Sequence, residues 1–266
     1  MFGLINGKDN WKWAAFGKHP FGGDFLKAGD ITPLLKSFSQ WVDKGHSGLS
    51  RREKSDLSFS WRFWAKGPNK ELICGIIQSS VDKYGRQYPL LIIGSGLRQS
   101  LNKNWHLIPY ACEKSWEQLE RFQRNEFKNI KELKRELKKS TAPADNLQEL
   151  VEISDAFRNV KIEDSEKGSN SDFMNKMNNI EALARVSSFT VHIDIGEKDR
   201  ALVPASKLLL LLKTRSGVEP DVVFLGESDD EKRLFCLKRS LTIDDFRKLC
   251  GREKKMERID ATTRNK

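Results

Sequence analysis

Three short apolar runs lie within about forty residues of one another, and they constrain the fold more than any other feature. In the first, residues 58–65 (SFSWRFWA), strict alternation places Phe59, Trp61 and Phe63 on one side of a strand. Residues 72–77 and 90–93 are apolar runs bounded by turn residues. Because strands that are close in sequence commonly pair, these runs predict a sheet.

Helical patterns flank these strands on both sides. Thr32 and Pro33 form an N-cap pair ahead of an amphipathic run that we expect to end at Gly45. Residues 113–139 are charged and periodic, which predicts one long helix or two. Further strands are expected at residues 11–16, 189–195, 221–225 and 233–238, and further helices at 173–186, 204–212 and 242–250. Asp145 or Asn146 can cap another short helix that runs through Leu150 and Ile153. This order predicts an α/β fold, namely a three-layer α/β/α sandwich with a mixed, largely antiparallel sheet.

The chain of 266 residues with 38% hydrophobic content is long enough for one large domain, which we expect over residues 1–250. Neither a secretory signal pattern nor a run of eighteen apolar residues occurs, so we expect a cytoplasmic protein that is not embedded in a membrane. The cysteines have no C-x-x-C spacing, which favours reduced, mostly buried thiols over zinc ligands or disulfides. They are Cys74, Cys112, Cys236 and Cys250.

Half of the net charge of +10 is concentrated at the C-terminal end. Residues 247–266 hold eight Lys or Arg against three Asp or Glu, a balance of +5. We expect residues 251–266 to form a basic, flexible tail, with an electrostatic docking arm as the alternative. Nucleic acid is not expected as a partner, because the tryptophans that could stack on bases fall at core positions of strands and helices.

Two glycine-containing turns carry the candidate functional residues. The first is GKHPFGGDF at residues 17–25, and its glycines and lysine invite comparison with a phosphate-binding loop. The spacing fails, because Lys18 is followed by His19 and Pro20 instead of a Ser or Thr that starts a helix. Asp24 is either an isolated acid or a side chain that accepts backbone N–H bonds within its own turn, and we favour the second interpretation.

The second turn is SVDKYGRQYPLLIIG at residues 80–94, where Asp82 and Arg86 lie around Gly85 ahead of a strand. They are either an ion pair that fixes the turn or an acid and an anion clamp, as in an enzyme or binding protein for a phosphorylated or anionic ligand. No histidine has a metal-ligand partner at helical or loop spacing. We therefore favour the structural interpretation and predict no catalytic residue, no cofactor and no metal site.

Taken together, several motifs resemble the TagF family of type VI secretion-associated proteins. They are Gly17-Lys18-His19-Pro20, Gly23-Asp24-Phe25, Trp61-Arg62-Phe63 and Ser80-Val81-Asp82-x-x-Gly85-Arg86-x-x-Pro89-Leu90. Near the end, VVFLGESDD, LFCLKR and a last helix resemble the strand, turn, strand and helix of the family. Two departures are His19, where a leucine is common, and a VVFLG strand that is less aromatic than usual.

The resemblance implies a cytoplasmic accessory protein without known catalytic activity that represses the secretion apparatus after translation. In the family, repression is attributed to action on a forkhead-associated-domain scaffold protein, in parallel with a kinase–phosphatase switch. Both turns would then form one rigid recognition face, whose charged residues are either mutual partners or contacts for the protein partner. The face consists of Lys18, His19, Pro20, Gly23, Asp24, Asp82, Gly85 and Arg86.

Overall fold

A computed structural model describes residues 10–124, 127–158, 170–193, 202–229 and 231–252. The strands are β1 Lys12–Gly17, β2 Leu26–Gly29, β3 Phe59–Lys66, β4 Glu71–Gln78, β5 Leu90–Leu97, β6 Ser188–His192, β7 Val222–Ser228 and β8 Glu231–Leu237. They form one eight-stranded sheet in the order β2-β1-β5-β4-β3-β7-β8-β6. Every neighbouring pair among the described strands is antiparallel. The predicted α/β class and the largely antiparallel character are confirmed, whereas the parallel pairing of a mixed sheet does not occur between these strands.

The helices are α1 Pro33–Ser47, α2 Arg51–Ser55, α3 Ile108–Arg124, α4 Ile130–Lys138, α5 Leu147–Arg158, α6 Asn170–Asn178, α7 Ile180–Arg185, α8 Leu202–Ser216 and α9 Ile243–Leu249. The periodic segment 113–139 belongs to two helices, α3 and α4. Asn129 begins the second, since its side-chain oxygen accepts the N–H groups of Lys131 and Glu132 at 2.9 and 3.1 Å. Neither β2 nor α2 was expected from the sequence pattern.

Strand alternation divides the core into two apolar clusters on opposite faces of the sheet. Phe59, Trp61 and Phe63 belong to the cluster to which α1 and α9 contribute buried side chains. Trp64 points the other way and joins Trp116 of α3 in the cluster that also includes residues of α4 and α8. The aromatic alternation in β3 thus has the cause that the sequence suggested, which is burial against helices.

The pairing of β1 with β5 places both glycine turns at the same end of the sheet. Gly17, the last residue of β1, lies opposite Leu90, the first residue of β5. Gly17 has φ of +117°, and a Cβ there would lie 1.9 Å from the carbonyl oxygen of Pro89. Only glycine satisfies both the backbone conformation and the close approach, so this residue sets the geometry from which the two turns begin.

Helix α1 continues through Gly45, where the sequence analysis expected it to end. A Cβ at Gly45 would lie 2.4 Å from Cγ of Phe246 in α9, whereas Gly48 is the residue that caps the helix. Gly45 is therefore explained by the close packing of two helices and not by termination of one.

None of the helices in the described ranges combines the length and apolar character needed to cross a bilayer. All four cysteines are buried, as expected. Of the predicted tail, Gly251 and Arg252 are described, and the guanidinium of Arg252 donates to the carbonyl oxygen of Asp56 at 2.9 Å. The predictions for residues 194–195 and 253–266 lie outside the described residues.

Substituting Gly45→Ala should lower the free energy of unfolding by about 1–3 kcal/mol, because the added methyl group overlaps Phe246. Gly48→Ala is the matched control: Gly48 has φ of −72° and a Cβ there would have its nearest neighbour at 3.5 Å. The control should change stability by less than about 1 kcal/mol. Urea unfolding of both variants measures the difference, and equal stabilities would contradict the packing role of Gly45.

Candidate functional site

The two glycine turns touch each other at the end of β1 and β5. The backbone N–H of Lys83 donates to the carbonyl oxygen of Gly22 at 3.0 Å, and the guanidinium of Arg86 donates to the carbonyl oxygen of Gly23. A Cβ on Gly23 would lie 2.8 Å from Cε of Lys83. The hydrogen bonds from Lys83 and Arg86 therefore hold the second turn directly against the first.

The Asp82 carboxylate lies at the centre of this contact, and its side chain is 0% exposed. Its Oδ1 accepts the backbone N–H groups of Tyr84 and Arg86 at 3.0 and 2.9 Å. Its Oδ2 accepts Nε of Arg86 at 2.7 Å and lies 3.0 Å from Nζ of Lys18. Both oxygens are thus satisfied by donors from both turns, as a buried carboxylate requires.

These donors determine the charge state of Asp82. Burial alone would raise the pKa of its carboxyl group, but the hydrogen bonds from the amide of Arg86, the ammonium of Lys18, the guanidinium of Arg86 and the amide of Tyr84 together lower that pKa. Asp82 is therefore ionised at neutral pH and closes its own turn, where the N–H of Gly85 donates to its carbonyl oxygen at 2.9 Å.

His19, which the sequence analysis assigns to the recognition face, is almost completely buried. It is 2% exposed, its Nε2 donates to the carbonyl oxygen of Phe122 in α3 at 2.9 Å, and its ring packs against Phe21 and Phe127. Burial lowers the pKa of this imidazole, despite the hydrogen bond to Phe122. His19 attaches the first turn to α3 and is neutral at pH 7.

Asp24 has the character of an isolated acid, which is the less favoured of the two interpretations of the sequence. It is exposed, and no hydrogen bond or ion pair to it occurs among the described residues, so the acceptor role expected for it belongs to Asp82. The first turn is closed instead by the N–H of Gly22, which donates to the carbonyl oxygen of His19 at 2.9 Å. Pro20 lies exposed within this turn.

Two residues that the sequence analysis did not include, Lys83 and Tyr84, occupy the outermost position of the second turn. Tyr84 is 67% exposed. Nζ of Lys83 lies 4.8 Å from the centroid of its ring, and Cζ of Arg86 lies 5.3 Å from the same centroid. Both cations are within range of a favourable interaction with the ring. The signal that could have identified them is an aromatic residue between two cations in a glycine turn.

Beneath the turns, Tyr88 connects the second turn to α1. Its hydroxyl donates to Oδ1 of Asp43 at 3.1 Å, and its ring centroid is 4.6 Å from that of His46 and 5.1 Å from that of Phe25. Both turns are therefore attached to helices, the first through His19 and the second through Tyr88.

His46, whose ring packs against Tyr88, is buried. This burial, together with the positive charge of Lys54, lowers the pKa of His46 to about 4.

In the motif Trp61-Arg62-Phe63, the arginine connects the sheet to a helix. This residue is 7% exposed and donates to the two carboxylate oxygens of Glu120 in α3 at 2.7 and 3.1 Å. Its guanidinium also lies 5.7 Å from the ring centroid of Trp116. This bidentate pair connects the centre of the sheet to α3.

The alternative for Asp82 and Arg86, an acid and an anion clamp, can be compared with the geometry. Both oxygens of Asp82 and Nε of Arg86 are engaged with one another and with the turns, which is the arrangement of an ion pair that fixes a turn. Within the described ranges, no group of three or more His, Cys, Asp or Glu side chains is placed to hold a metal ion.

Residues 14–140 match the family model of the TagF N-terminal domain, described as type VI secretion system-associated. This part of the chain belongs to the TagF family. Both glycine turns, with Asp82 and Tyr84, fall inside the matched TagF segment. The suspected family resemblance is therefore confirmed, and the domain associates this TagF protein with type VI secretion.

The whole chain is also similar in structure to PA0076 of Pseudomonas aeruginosa PAO1, known from a crystal structure, with a TM-score of 0.53. The likeness covers 91% of this chain and 96% of that chain at 14% sequence identity, so it concerns the fold alone. A search of curated proteins finds no match.

Substituting Asp82→Asn should loosen the second turn, because the amide group of asparagine would face the cations of Lys18 and Arg86. Hydrogen exchange at the amides of Tyr84 and Arg86 should accelerate roughly tenfold or more. Asp24→Asn makes the same chemical change at an exposed position and should leave exchange unchanged. Equal exchange rates in the two variants would show that the buried carboxylate does not hold the turn.

His46 should make stability depend on pH. Above pH 6.5 the imidazole is neutral in both the folded and unfolded states, but between pH 6.5 and about 4 only the unfolded state binds the proton, so stability falls as pH falls. The wild type should lose free energy of unfolding between pH 7.5 and pH 5, and His46→Phe should lose about 2 kcal/mol less, as measured by urea unfolding. The exposed His192→Gln control should retain the full loss; identical profiles for the two variants would refute this origin.

Proposed function

We propose that this TagF protein is a non-catalytic, cytoplasmic accessory protein that represses a type VI secretion system after translation. It acts by binding a forkhead-associated-domain scaffold protein of that system. The family match supports the association with type VI secretion, and the family resemblance supplies repression and the partner. We also propose that the sheet is the middle layer of a three-layer α/β/α sandwich. This is supported by two apolar clusters, one with residues of α1 and α9 and the other with residues of α3, α4 and α8.

The observation that favours binding over catalysis is how the charged residues of the two turns are used. Lys18, Asp82 and Arg86 are mutual partners, which is one of the two roles that the sequence left open. A carboxylate that already accepts several hydrogen bonds, with its pKa lowered, is a poor proton acceptor for a substrate. What this network does provide is a rigid turn.

A rigid turn suits a protein-binding role. Tyr84 and the outer part of Arg86 remain accessible while their backbone is fixed by Asp82. Tyrosine and arginine are frequent energetic centres of protein interfaces, and side chains on a fixed backbone lose less conformational entropy on binding. Repression would follow if this surface occupied the scaffold protein at a position that assembly requires.

The experiment is deletion of the gene in its host, followed by complementation with the wild type, with Tyr84→Ala and with the remote control Lys103→Ala. Lys103 is exposed and follows the opposite end of β5. Secretion of the tube protein should rise on deletion and fall on overexpression, and the scaffold protein should co-purify with the wild type and the control. Tyr84→Ala should lose both repression and co-purification. Unchanged secretion on deletion and overexpression would reject the proposal.

A further inference from the structure

We infer that the outermost part of the second turn docks an acidic, unphosphorylated segment of a partner protein. This surface, the basic tip, consists of Lys83, Tyr84 and Arg86. The inference rests on the proposed function for the identity of the partner in the cell, but its chemistry follows from the charges and exposure of these three residues.

The basic tip presents positive charge that nothing nearby neutralises in full. The carboxylate of Asp82 is buried and shared between Lys18 and Arg86, so one acid faces two cations. The side chain of Arg86 is still 56% exposed. Lys83 is exposed, and no ion pair to it occurs within the described ranges. An acidic segment would therefore find complementary charge at this surface.

Tyr84 gives the basic tip an apolar surface between its two cations. Its ring is 67% exposed, with Lys83 and Arg86 near it at 4.8 and 5.3 Å. Gly85, with φ of +76°, and the hydrogen bonds to Asp82 fix the backbone beneath the ring. A peptide could place an apolar side chain on the ring and a carboxylate beside each cation.

The arrangement suits separate carboxylates better than one phosphate group. Phosphate sites bring several donors to a single point, often with free backbone N–H groups. Here the N–H groups of Tyr84 and Arg86 already donate to Asp82, and Arg86 also uses its guanidinium for Asp82 and Gly23. Electrostatic docking on an anionic membrane needs clusters of about four to eight basic residues, more than this surface carries.

Asp24 provides a test of the sign of the interaction. It is the exposed acid of the adjoining turn, and no cation pairs with it among the described residues. Its charge must oppose an acidic partner at the basic tip. Removing that charge should strengthen binding, whereas removing the charge of Lys83 should weaken it.

The experiment titrates the full chain with a synthetic ten-residue peptide of alternating Glu and Ser with a central Leu, monitored by amide chemical shifts. Shifts should be concentrated at Gly23, Tyr84 and Gly85. Lys83→Glu should weaken binding by about tenfold, Asp24→Asn should strengthen it by about two- to threefold, and Lys103→Glu should leave it unchanged. Tyr84→Ala, which keeps both cations, should also weaken it.

Equal weakening by Lys83→Glu and Lys103→Glu would overturn the inference, because it would indicate attraction to the overall charge of the chain. The inference also fails if the acidic peptide does not bind, or if the same peptide with phosphoserine in place of serine, or vesicles containing anionic lipid, bind at the tip more tightly. Peptide binding at the tip without co-purification of the scaffold protein would support the inference and reject the proposed partner. Co-purification of the scaffold protein without peptide binding at the basic tip would reject the inference and leave the proposed partner in place.

Discussion

The ionised carboxylate of Asp82 is removed from water, and a group of this kind is tolerated only where donors surround it. Its donors come from two segments separated by more than fifty residues in sequence, since Lys18 follows β1 and Arg86 precedes β5. Satisfying one side chain therefore fixes the separation of the two turns, the backbone path from Asp82 to Arg86 and the outward direction of Tyr84. The accessible surface of the site results from a buried interaction.

That interaction depends in turn on the strand register. Gly17 lies opposite Leu90 only in one alignment of β1 with β5, and a shift by one residue would reverse the faces of Trp13 and Ala14, which belong to different apolar clusters. The core thus selects the register, and the register brings Lys18 within reach of Asp82. The ion pair at the end of the sheet therefore depends on the packing of both faces of the sheet.

The sequence predicts best where a residue pattern has a single physical cause. Alternation identified β3 and its buried aromatic face, and Thr32 with Pro33 identified the start of α1. The sequence pattern did not predict β2, because this edge strand has four residues and is too short to show a periodicity. At the site, the Asp82–Arg86 pair was anticipated, but the burial of His19 and the prominence of Tyr84 were not. Both depend on what lies opposite in space, which local spacing does not encode.

The position of β3 has a consequence for how the chain can be divided. This strand pairs with β4 on one side and with β7 on the other, although β7 begins only at Val222. A fragment ending at residue 140, where the TagF N-terminal match stops, would keep β3 as an unprotected border strand with unpaired backbone groups and uncovered aromatic residues. Such a fragment would tend to self-associate during synthesis, whereas in the whole chain β7 pairs with β3 and protects that border.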